Sequence, residues 1–60
     1  MLIRYRPTTK GSWDILIGGV STGRVERRGT GAAWLVLTRP VKPIALDALN
    51  SFVADLNGRR

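Results

Sequence analysis

Cysteine and histidine are both absent from the 60 residues. Without them there can be no disulfide staple, no thiolate or imidazole zinc site and no thiol nucleophile. The side chain that most often moves protons near neutral pH is missing as well. Acids are almost as scarce: Asp14, Glu26, Asp47 and Asp55 are the only carboxylates, too few and too scattered for an oxygen-rich cation site. Long apolar runs are lacking too. "ILIGGV" and "AAWLVL" fall far short of the ~20 residues of a membrane span, and Met1 to Tyr5 is too short for the apolar core of a secretory signal. The chain is therefore expected to be a soluble cytoplasmic protein, not an enzyme, with no metal, no cofactor, no membrane association and no small-molecule ligand.

Positive charge is what the chain has in excess. Ten Lys and Arg against four acids give a net charge of +6, which favours polyanionic partners. Its distribution sharpens the inference. Residues 1–43 hold the whole net charge of +6, whereas residues 44–58 carry only Asp47 and Asp55. A hydrophobic content of 43% with 23% charged residues is that of a folded chain, and the length allows one domain, residues 1–60.

Local patterns predict four strands and one helix. "LIRYR" (2–6) is a short β-favouring run that stops at Pro7, and "PTTKGS" is a polar turn. "WDILIG" (13–18) is aromatic and β-branched, and two glycines follow it. "TGRVERR" (22–28) alternates around Val25 and reads as the return strand of a hairpin. "AAWLVLT" (32–38) is a third apolar strand run, closed by "RPVKP". From 44 to 57 the period changes. Leu46, Leu49, Phe52, Val53 and Leu56 form a helical stripe opposite Asp47, Asn50, Ser51 and Asp55. Pro43 suits the first turn, Asn57-Gly58 suits the stop, and Arg59 and Arg60 suit the negative end of the helix dipole. The fold class that results is α+β: a small antiparallel meander of three to four strands with a C-terminal amphipathic helix packed on one face.

If the helix covers one face, function falls to the other face or to an edge. A three-residue connection at Gly18, Gly19 and Val20 would set Trp13 opposite Val25 and Asp14 opposite Arg24, uniting apolar with apolar and acid with base. A tight Gly18-Gly19 turn would instead pair Ile17 with Val20 and set Trp13 opposite Arg24. The first is favoured. It turns Ile3, Tyr5, Trp13, Ile15, Ile17, Val25, Leu35 and Leu37 toward the helix. The open face then carries Arg4, Arg6, Asp14, Leu16, Arg24, Glu26, Arg28, Trp34 and Val36. Arginines attract phosphates and an exposed indole can stack on a base, so Arg4, Arg6, Arg24, Arg28 and Trp34 are the candidate nucleic-acid-binding residues.

Other chemistry fits poorly. Gly18 and Gly23 have the spacing of a phosphate-binding loop, but Arg24 and Val25 stand where a lysine and a magnesium-binding hydroxyl belong, and a strand follows where a helix must begin. No serine is spaced to pair with a lysine base. The helix's polar face lacks Lys and Arg, which ill suits a membrane surface or a major groove.

"W-D-I-L-I-G-G…G-R-V…W-L-V" followed by one helix resembles small bacterial proteins of unknown function with a Trp-led β-meander, over roughly residues 13–56. That resemblance implies the fold and no activity. The architecture is also similar to sheet-reading DNA-binding domains of the ethylene-response-factor and phage-integrase amino-terminal type, in which Arg and Trp on a sheet enter the major groove. By that likeness Arg4, Arg6, Trp13, Arg24, Arg28 and Trp34 would be the reading side chains, although "TRPVKP" stands where those domains have a Gly-Phe and Thr-rich lead into the helix. The expected function is a small nucleic-acid-binding domain; the alternative is a protein-interaction module or homodimer pairing through 2–6 or 32–38.

Overall fold

The computed structural model describes residues 2–29 and 31–58. Strands β1 (Ile3–Pro7), β2 (Trp13–Ile17), β3 (Val20–Arg27) and β4 (Ala33–Leu37) precede helix α1 (Pro43–Leu56). The strands form one antiparallel sheet in the order β1-β2-β3-β4, so each connection is a hairpin and the chain is an α+β meander. The β1–β2 turn is tied by Thr8, whose hydroxyl shares a hydrogen bond with that of Ser12 at 2.8 Å while its amide donates to the Ser12 carbonyl, also at 2.8 Å. Side-chain oxygens that bond back to nearby backbone hold such turns.

The central hairpin combines features of both registers expected from sequence. Ile17 pairs with Val20, so the connection is the tight Gly18-Gly19 turn, yet Trp13 still lies opposite Val25 and Asp14 opposite Arg24. A bulge reconciles the two. Leu16 pairs with Ser21 and Ile15 with Gly23, leaving Thr22 as the extra residue on β3. Gly18 and Gly19 have φ of 59° and 83°, the positive values that a twist-matched two-residue hairpin demands. Thr22 is buried, and its hydroxyl reaches the Ile15 carbonyl at 3.5 Å. β3 therefore starts two residues earlier than its sequence pattern suggests and ends at Arg27 rather than Arg28.

Gly23 follows the bulge where β4 comes closest. A Cβ there would sit 2.3 Å from the Val36 carbonyl oxygen and 3.0 Å from Leu37 Cα. No side chain fits that gap.

The core lies between the sheet and α1. Ile15, Val25, Ala33, Ala45 and Leu49 are buried, and Ile3, Tyr5, Trp13, Ile17, Leu35, Phe52, Val53 and Leu56 close around them. Phe52 stacks on Tyr5 with centroids 3.8 Å apart and meets Trp13 edge-on at 5.8 Å, fixing α1 across β1 and β2. Two expected inward residues differ. Leu37, opposite Gly23 at the end of β4, is 37% exposed because no side chain across the strand encloses it. On the helix, Ala45 rather than Leu46 takes the first buried position, since only a small side chain lets the first turn sit close to the sheet.

Pro43 occupies the first turn, where its missing amide costs nothing, and the Leu46 amide donates to the Lys42 carbonyl at 2.9 Å. At the other end two side chains join helix to sheet. Asn57 Nδ2 donates to the Ala33 carbonyl at 3.0 Å while its Oδ1 accepts the Ala33 amide at 2.6 Å, so the carboxamide acts as one more strand residue on the β4 edge. Arg27 donates through its guanidinium to the Leu56 carbonyl at 2.5 Å and through Nε to the Gly31 carbonyl at 3.1 Å. A cation from β3 thus meets the negative end of the helix dipole, the place expected for Arg59 and Arg60, which lie outside the described residues.

Candidate nucleic-acid interface on the open sheet face

The face opposite α1 is built by strand alternation. Cross-strand pairing aligns Arg6, Asp14, Arg24 and Val36 in one row, Arg4, Leu16 and Ser21 in a second, and Glu26 with Trp34 in a third. Arg4 and Arg6, on edge strand β1, are exposed, and Trp34, on the opposite edge strand β4, is 40% exposed. Three arginines therefore share this surface with Asp14 and Glu26, and the charges alternate along the first row.

The electrostatics separate those arginines. Arg24 Nε donates to Glu26 Oε2 in an ion pair two residues along the same strand, and both side chains are partly exposed. Such a pair in water is weak, so it orients Arg24 more than it stabilises the fold. Arg4 and Arg6 make no ion pair among the described residues.

Of the candidate residues named from sequence, Arg4, Arg6, Arg24 and Trp34 share the open face. Arg28 is exposed as well. That residue follows the end of β3, and its carbonyl accepts the Gly31 amide at 2.8 Å, so it belongs to the β3–β4 turn. Trp13, included by likeness to sheet-reading domains, packs on Phe52 on the covered side.

Arg27 carries a role that attention to the open face missed. Alternation from Val25 signals it, because that spacing turns Arg27 toward the helix side. At the end of the sheet nearest the β1–β2 turn, Thr8, Lys10, Ser12, Asp14, Arg24 and Glu26 line an open cleft of 620 Å³ that reaches Arg27. Its lining mixes cations, carboxylates and hydroxyls. Among the described residues no three Asp, Glu, His or Cys side chains gather as a metal site, and no helix is long and apolar enough to cross a membrane. Burial raises the Tyr5 phenol above its ordinary pKa by desolvation; this group serves the core, not the open face.

Comparison of the chain with protein-family models, curated proteins and solved structures gives no match.

Proposed function

We propose that this chain is a non-enzymatic nucleic-acid-binding domain that lays a single strand across the open face of its sheet. The observation that carries the reading is the company of Trp34: a partly exposed indole shares an uncovered face with Arg4 and Arg6, neither of them ion-paired among the described residues. Unpaired guanidiniums keep their donors for phosphate oxygens. An indole plane can stack on any unpaired base, which favours a single strand over a duplex. Arg24 would contribute by exchanging Glu26 for a phosphate, and Arg28 would extend the track from the adjoining turn. Asp14 and Glu26 moderate the field, so affinity comes from few phosphate contacts and its salt dependence is correspondingly modest.

Titration of labelled single-stranded and duplex oligonucleotides at several salt concentrations tests this. Four phosphate contacts on a single strand give a log-log salt slope near −3 by the usual ~0.7 per contact. Arg4→Glu with Arg6→Glu should abolish binding, and Trp34→Ala should weaken it by ~1 kcal/mol or more, the scale of one stacked base. Glu26→Gln should tighten it by releasing Arg24. Absence of binding at ~50 mM salt, where phosphate contacts are strong, would refute the reading, as would indifference to both the arginine and the tryptophan substitutions.

A further inference from the structure

The two edges of the sheet are protected very differently. On β1 the Gly18 amide donates to the Leu2 carbonyl at 3.0 Å, so by alternation the outward backbone groups are those of Ile3, Tyr5 and Pro7. Pro7 has no amide to offer. Self-pairing of β1 centred on Arg4, Tyr5 or Arg6 sets arginine opposite arginine every time. That edge repels its own copy.

On β4 the Thr38 amide donates to the Thr22 carbonyl at 2.9 Å, so Trp34 and Val36 turn their backbone toward β3 and Ala33, Leu35 and Leu37 turn theirs outward. Asn57 satisfies both groups of Ala33. The outward amides and carbonyls of Leu35 and Leu37 have no hydrogen-bond partner among the described residues. From Gly31 to Thr38 there is no charged residue and no proline. An uncharged apolar edge of this kind is a template for another strand.

We propose that β4 pairs with β4 of a second copy, antiparallel about a two-fold axis through Val36, joining two four-stranded sheets into one. Leu35 then faces Leu37 of the second copy, and the reverse pair repeats it, which satisfies every open backbone group on this stretch. Val36 meets Val36, Trp34 meets Thr38, and no like charges oppose. Pairing stops short of Ala33, so the Asn57 lock stays intact. The strand is thus complementary to itself, the condition for a closed isologous dimer. Association also covers Leu37, which one copy leaves 37% exposed, and enlarges a core that among the described residues holds five buried apolar side chains, Ile15, Val25, Ala33, Ala45 and Leu49. The inference stands apart from nucleic-acid binding and responds oppositely to salt. Each chain carries +6, so added salt screens the repulsion and strengthens the dimer, whereas it weakens phosphate contacts.

Sedimentation of the full chain over a wide concentration range, without nucleic acid, should show a monomer–dimer equilibrium that tightens with salt. Val36→Glu and Val36→Lys should each give monomers, and their equimolar mixture should restore a dimer. Val36 lies opposite Arg24 of its own sheet, so the glutamate variant retains an intramolecular counter-charge. Should either variant fail to fold by circular dichroism, amide exchange on the unaltered chain decides: protection at Leu35 and Leu37 that rises with concentration supports the pairing. A monomer at every concentration overturns it. So do a dimer that survives both substitutions, an open-ended polymer, or a dimer whose Leu35 and Leu37 amides exchange as fast as in the monomer.

Discussion

On the helix side of the sheet, Phe52 lies over Tyr5 and beside Trp13, and Leu49 is sealed in one cluster with Ile15 and Val25. On the other side, Trp34 stands partly in solvent among arginines and carboxylates. The same strands supply both surfaces, residue by residue in alternation, so composition along a strand says little until it is divided by two. The difference lies in what constrains each side chain. Under the helix, shape decides, because a missing methylene leaves a void. On the open face, charge and availability decide, because water fills any gap.

Substitutions graded from the shared backbone to the open face break this comparison in order. Gly23→Ala forces β3 and β4 apart, since its Cβ would meet backbone rather than a flexible side chain; a loss of about 4 kcal/mol or more, or failure to fold by circular dichroism, is expected. Leu49→Ala removes the helix's buried anchor and should cost ~3 kcal/mol in denaturant unfolding, within the range for buried leucine truncation. Asn57→Ala orphans the Ala33 amide and carbonyl and should cost about 1–2 kcal/mol, with faster exchange of the Ala33 amide as its local signature. Trp34→Ala should change stability least, by under ~1 kcal/mol, the span of strand propensities. If Trp34→Ala destabilised the fold as much as Leu49→Ala, the division into a packed and an available face would be wrong.

Much of the fold is legible along the chain, and the reasons are local. The apolar, β-favouring runs "WDILIG" and "AAWLVLT", the alternation around Val25, and the change to a helical period after Pro43 place every element to within two residues. The inward set named from alternation packs as expected apart from Leu37. Arg4, Arg6, Arg24 and Trp34 lie on the expected face for the same reason. Thr22 is where local reasoning fails. A turn length and a charge pairing pointed to different registers, and one unpaired residue satisfied both. Arg28 stands one residue past the end of β3, in a turn, where strand alternation no longer fixes the direction of a side chain.

Side-chain periodicity by itself determined the number and kind of elements, the amphipathic helix and which residues share a face, because neighbours along the chain set those through backbone geometry. Only the tertiary structure decided that Gly23 must lack a side chain, that Arg27 meets the helix end, and that Asn57 fastens α1 to Ala33. Each depends on the approach of segments far apart in sequence. Distances between such segments are set by how the core packs, and no local pattern encodes them.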